Sequence, residues 1–241
     1  MYSVLLASAL LGQFAENKGF PKPLQQEAFD ATAGTYHPAS RSRGTAILVA
    51  YRDGTAYFLT AAHLVPTTWE KGREKEDVRK VELQFYSSKE PKKIPRDVDA
   101  FVLERMPNED LAVLTAQLKD APKSIPVCPR ERRVLAALKP PFDVMTLGMI
   151  PDGPPEIRFD VVKGKELVTK PDGSKAFFWE ANRPQELGRS GGPMIDTSGH
   201  VIGIASGIQH GKGYYAHIDE IHRALSPEFV WLYENAKASG K

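Results

Sequence analysis

GTAILVAYRDGTAYFLTAAHL, residues 44 to 64, holds two short runs of aliphatic, β-branched and aromatic residues parted by Asp53-Gly54. An Asp-Gly pair between such runs signals a hairpin, because both turn residues tolerate positive φ. The same texture continues in strand candidates at 81–87, 98–104, 111–116, 142–150, 157–162, 175–181, 200–206 and 213–218. Between them lie mixed-charge stretches at 70–80 and 89–96 and Pro-Asp-Gly turns at 151–153 and 171–173, which read as solvated connections. An all-β chain with this many short strands implies a sandwich or barrels. The Pro-rich stretch from Lys139 to Pro141 falls near the middle of the β region, so two β-barrels is the economical reading. The expected division is an N-terminal segment at 1–43 outside the main fold, a first barrel at 44–135, a second at 136–225, and a helix and tail at 226–241. In that last segment Ser226 suits a cap and Pro227 the first helical position, while Phe229, Leu232, Tyr233 and Ala236 repeat on one face.

Composition narrows the function. The 241 residues carry 32 basic and 30 acidic side chains, a balance that excludes a dedicated phosphate-neutralising surface, so nucleic acid is not an expected partner. Cys128 is the single cysteine, so no intramolecular disulfide and no Cys-based zinc cluster is expected. Residues 4–12, VLLASALLG, are too short to span a bilayer as a helix, and no transmembrane span is expected. The run has the length of a signal-peptide core, which points to secretion or the cell envelope; the alternative is a buried N-terminal helix in a cytoplasmic protein. Gly19, Pro21 and Pro23 would end either kind of segment.

Of six histidines, His63 alone closes an apolar strand among small residues, in Thr60-Ala61-Ala62-His63. Asp110 opens the strand LAVL, where a carboxylate needs a hydrogen-bond donor to offset burial. Gly188-Arg189-Ser190-Gly191-Gly192-Pro193 surrounds a serine with glycines, a density that fits unusual φ and close backbone approach. A hydroxyl too basic to attack unaided, an imidazole to take its proton and a carboxylate to fix the imidazole tautomer make a nucleophilic site. The three occur in the order His, Asp, Ser and must be assembled by folding across sheets. Glu109 is the alternative to Asp110 as the carboxylate. The spacing of His210, His217 and His222 fits no ligand pair, so no metal and no cofactor is expected.

Through those three segments the sequence resembles the chymotrypsin/trypsin-like serine peptidases over about residues 40 to 225. With Leu64 after His63 and no disulfide, it is more similar to disulfide-free bacterial members, including the Deg-type proteases, which GTAILV and HVIGIAS also resemble. The resemblance implies two six-stranded Greek-key barrels with the site in the cleft between them. It implies His63 as base and then acid, Asp110 as its orienter, Ser190 as nucleophile, and the N–H groups of Gly188 and Ser190 as an oxyanion hole. The substrate pocket would lie among Pro184, Ser206, Gly207, Gly213 and Tyr215, with Pro184 where trypsin-like specificity places an acid; Glu186 leaves a preference for basic residues open. Too few residues follow the last strand for a PDZ module. Arg189 stands where digestive enzymes carry the acid that binds a newly cut N-terminus, so cleavage at Arg43-Gly44 is not expected to activate the chain. The expected activity is serine endopeptidase action on protein or peptide substrates; the alternative is a catalytically silent module that captures peptides in the same cleft.

Overall fold

The computed structural model describes residues 14, 17, 19–65, 79–89, 96–131, 138–150, 153–169, 173–209, 211–225 and 227–234. The apolar run at 4–12, Trp69, His210, Ser226 and Ala236 lie outside them. Among the described residues, twelve strands form two closed antiparallel barrels, ordered β1-β2-β3-β6-β5-β4 and β10-β11-β12-β9-β8-β7. The first comprises β1 (Thr32–His37), β2 (Ser42–Arg52), β3 (Thr55–Thr60), β4 (Lys80–Phe85), β5 (Arg96–Met106) and β6 (Leu111–Gln117). The second comprises β7 (Phe142–Met149), β8 (Pro155–Thr169), β9 (Lys175–Ala181), β10 (Pro193–Ile195), β11 (Val201–Gln209) and β12 (Lys212–His217). Closure leaves neither sheet with an open edge.

The opening hairpin forms as its sequence predicts. Asp53 and Gly54 both take positive φ, 52° and 81°, and Arg52 pairs with Thr55 across the two-residue turn. These are the requirements of a type I′ turn, whose twist matches the flanking strands. Leu48, Phe58, Leu59, Leu83, Leu111 and Leu114 are buried in the first barrel; burying each such side chain is worth roughly 1.5–3 kcal/mol. In the second, Val144, Trp179, Ile202 and Ile204 are buried, and the Trp179 Nε1–H donates to the Ile202 carbonyl at 2.9 Å. That bond removes the cost of sinking the indole nitrogen.

Residues 20–43 are part of the fold, which corrects the expectation that the whole segment 1–43 stands outside it. Pro21 caps helix α1 (Lys22–Ala31) and Pro23 sits in its first turn, where a missing N–H costs nothing. The prolines therefore start a helix. Phe20 packs on Phe159 of the second barrel at 5.6 Å between ring centroids, and α1 leads directly into β1. Strand β1 gives a weak pattern in sequence because it contains Gly34. A Cβ there would lie 3.0 Å from the Met149 side chain, so the glycine is where the barrels touch. The Arg43-Gly44 bond lies within β2 and is paired to Tyr36 and Thr35.

A C-terminal helix is present, but it lies at 218–224, in the stretch assigned to the second barrel; of the helix expected from 226, residues 227–230 form turns. His217 ends β12 and caps α2 (Ile218–Ala224) by accepting from the Asp219 N–H at 3.0 Å, and a short α3 (Trp231–Glu234) follows. Asp219 and Glu220 in the first turn of α2 and Arg223 in its last suit the helix dipole. Among the described residues no helix is long and apolar enough to cross a membrane.

Candidate active site

His63 occupies a single 3₁₀ turn, Ala62–Leu64, just beyond the end of β3. Asp110 stands immediately before β6, which pairs with β3 so that Thr60 opposes Ala112. Neighbouring strands in one barrel thus bring a distant imidazole and carboxylate together. Asp110 takes φ 55°, a left-handed conformation that Asp tolerates better than most residues. Its carboxylate accepts from the His63 backbone N–H at 3.0 Å and lies 2.9 and 3.1 Å from Nδ1. The Ser206 hydroxyl donates to the same carboxylate. The Asp110 side chain is 12% exposed and that of His63 43%, so an almost buried acid supports a ring that reaches solvent. Glu109, the alternative carboxylate, is instead paired with Arg223 at 3.3 Å.

Ser190 comes from the second barrel and is pressed against the first. Its carbonyl accepts from the Thr45 N–H at 2.8 Å. Gly191 follows with φ 81°, and a Cβ there would fall 2.1 Å from the Thr45 carbonyl oxygen, 2.3 Å from Thr60 Oγ1 and 3.0 Å from the Ala61 nitrogen. Only glycine permits this approach, and Ala61 is two residues from His63. Among the described residues no hydrogen bond joins Ser190 Oγ to the His63 ring. In unliganded sites this contact is commonly long and tightens with substrate.

The backbone around Ser190 is selective about its donors. The N–H groups of Arg189, Gly191 and Gly192 donate to the carbonyls of Glu186, Ala205 and Arg189 at 3.1, 2.8 and 3.0 Å. Those of Gly188 and Ser190 have no acceptor among the described residues. The Arg189-to-Glu186 bond closes a turn whose third residue, Gly188, has φ 91°, the type II arrangement. Thr45 Oγ1 donates to the Gly188 carbonyl at 2.7 Å and accepts from the Met149 N–H at 2.9 Å, stitching this turn to both barrels.

The residues expected to line a substrate pocket divide. Ser206 commits its hydroxyl to Asp110, a role the sequence did not indicate. Gly213 is buried, with its Cβ position 2.5 Å from the Arg183 carbonyl, and Gly207 has open space at the same point. Tyr215 is buried in hydrogen-bonding reach of Thr146 and Gln185, and burial raises its phenol above the ordinary value. Pro184 is exposed. Glu186 lies 2.6 Å from Arg158, which holds its carboxyl below the usual range, so its charge is already matched. A cavity of about 710 Å³ adjoins the turn, lined by Gly44, Met149, Leu187 and Gly188 and extending to Tyr36 and Glu82. Cys128 is fully buried, and desolvation pushes its thiol up to about 12, which removes it as a nucleophile.

Paired antiparallel barrels, with a His-Asp couple on one and a glycine-flanked serine of the other bonded to its β2 strand, define a chymotrypsin-like peptidase fold. The chain belongs to the trypsin-like peptidases: residues 44–204 match the trypsin-like peptidase domain. No curated protein matches the sequence. Among solved structures, it is similar to the active form of the Rv3671c protease from M. tuberculosis, with a TM-score of 0.64 and 18% identity over 88% of this chain and 91% of that one. Deg5 gives a TM-score of 0.65 at 15% identity over 88% and 94% of the two chains. The MamO protease domain from Magnetospirillum magneticum gives 0.60 at 17% identity over 83% and 97%. At these identities the likeness is one of fold.

Proposed function

We propose that the protein is a serine endopeptidase that cleaves peptide bonds through an acyl-enzyme, with Ser190 as nucleophile, His63 as base and acid, and Asp110 as orienter. The observation that carries this reading is the Asp110 carboxylate 2.9 Å from His63 Nδ1. That bond keeps the Nδ1 proton in place and leaves Nε2 as the basic face of the ring. Ser190 Oγ loses its proton to Nε2 as it bonds to the substrate carbonyl carbon, and the carbonyl π pair moves onto oxygen. The unpaired N–H groups of Gly188 and Ser190 receive that oxyanion; each such donor is worth about 3 to 4 kcal/mol in the transition state. Nε2–H then protonates the leaving amine as the C–N bond breaks, and water, deprotonated by His63, releases the acyl group.

A digest of a mixed peptide library, with Ser190→Ala alongside, tests this reading. Internal cuts made by the intact protein and lost in the variant support it; bound but uncut peptides would favour a silent capture module. The apolar run at 4–12 supports delivery to the cell envelope or medium, and N-terminal sequencing that finds the run retained in the mature protein would oppose it.

A further inference from the structure

The side chains at the two ends of the 186–189 turn meet on one strand. Arg189 is 2% exposed, and its guanidinium runs inward rather than to solvent. Nη2 donates to Thr146 Oγ1 at 3.1 Å, and Nη1 to the Glu156 carbonyl at 3.2 Å and to its carboxylate at 3.4 Å. Gly148 makes the room: a Cβ there would lie 2.8 Å from Cα, Cβ and Cγ of Arg189. Glu156 also holds Arg158, Nε to Oε2 at 2.8 Å, and Arg158 Nη2 reaches Glu186 at 2.6 Å. Charges therefore alternate in an unbroken row, Glu186, Arg158, Glu156, Arg189, from the first residue of the turn to the last. Two residues of β8 complete it.

Such a row matters because the turn is otherwise held at Gly188, by the bond from Thr45 Oγ1 and the close approach of the Met149 carbonyl, and not at its ends. Types I and II differ by rotation of the central peptide, here Leu187 to Gly188, and glycine accepts either sign of φ. Leu187 is 87% exposed and gives no packing that would choose between them. The same rotation carries the Gly188 N–H from one side of the turn to the other. Burial disfavours the Arg189 charge, which lowers its affinity for a proton, so the guanidinium is stable there only while its acceptors stay in place. Holding both end residues keeps Gly188 seated against Thr45 Oγ1 and the Met149 carbonyl, the contacts that bear on its positive φ.

We propose that Glu156 and Arg158 are positioning residues: through Arg189 and Glu186 they brace the 186–189 turn in the type II state and so aim the Gly188 N–H into the site. This inference rests on the peptidase reading, whose oxyanion donor the brace would orient. Arg158 and Glu186 are the informative positions, because an ion pair with one partner 57% exposed contributes little to stability.

The test compares the intact protein with Arg158→Gln, Glu186→Gln, the double variant and Arg158→Lys. The expected result is a kcat/KM lower by about 10- to 100-fold in each Gln variant, as for partial loss of an oxyanion donor. The double variant should be no worse than either single one, and Lys should recover part of the loss. Affinity for a peptide boronate should fall by the same factor, while peptide affinity measured in a Ser190→Ala background and the melting temperature stay unchanged. Unchanged kcat/KM, or a loss matched by peptide affinity, would overturn the brace. A crystal structure of Arg158→Gln gives a readout independent of turnover: φ of Gly188 should turn negative. If the intact protein does not cleave peptides, the peptidase reading fails by itself, and a Gly188 left at positive φ in the variant would refute the brace separately.

Discussion

Replacing Asp110 by Asn removes one charge and changes almost no volume. In the protein the carboxylate serves three donors, the His63 N–H, His63 Nδ1–H and the Ser206 hydroxyl. An amide offers one acceptor oxygen, and its NH₂ must face a donor. The simplest accommodation turns His63 into the other tautomer, with its proton on Nε2, where the ring no longer accepts from Ser190. The attraction lost in the transition state follows from the distance: unit charges at 2.9 Å in an effective dielectric of about 20 are worth roughly 6 kcal/mol. The His63 ring is 43% exposed, so solvent screens part of this, and the expected loss is about 10³- to 10⁴-fold in kcat/KM. The assay is steady-state hydrolysis of a fluorogenic peptide at several pH values, with calorimetry to confirm that the variant folds. A loss under about tenfold, near 1.4 kcal/mol, in a folded variant would refute this role for the carboxylate.

Three further predictions follow from packing and burial. Gly191→Ala drives a methyl group into the Thr45 carbonyl at positive φ, which should cost about 3 kcal/mol or more and lower the melting temperature by roughly 6–12 °C; an unchanged melting temperature would show that the two barrels are less tightly closed there. Cys128, with its thiol held up to about 12, should resist a thiol reagent at pH 8 in the folded protein and react on denaturation; rapid labelling of the native protein would contradict its burial. His217 packs against Trp179, and burial pulls its pKa from 6.5 down to about 3. The unfolded chain therefore takes up a proton that the folded chain refuses, and stability on the order of 4 kcal/mol, present above pH 6.5, is lost as pH falls towards 3. Urea midpoints measured from pH 7 to pH 4 should fall less steeply in His217→Gln than in the intact protein; parallel curves would remove His217 as the cause.

What the sequence discloses depends on whether a feature is local. The β2–β3 hairpin is legible because Asp53-Gly54 states its own turn type. The Gly-rich segment at Ser190 is legible because crowding by Thr45, Thr60 and Leu147 leaves no room for side chains at Gly191 and Gly192. Strand β1 is hidden for the same reason: Gly34 satisfies contact with Met149 across the barrels and so interrupts the alternation that marks a strand. The helix after β12 escapes the pattern because His217 both ends a strand and caps a helix, and the periodic Leu232 and Tyr233 fall in the short α3 instead. Ser206 and Asp110 are far apart in the chain, and only closure of the barrels shows that the hydroxyl belongs to the carboxylate. The partners of Arg189 on β7 and β8 are likewise invisible to spacing arguments, since Thr146 and Glu156 lie far from it in the chain.

The central claim, a serine made nucleophilic by His63 and Asp110, is tested most directly with a fluorophosphonate. Intact mass and peptide mapping after treatment should show one adduct, located on Ser190, forming far more slowly in His63→Ala and absent from Ser190→Ala. No adduct on the folded protein, or the same adduct mass in Ser190→Ala, would contradict the account.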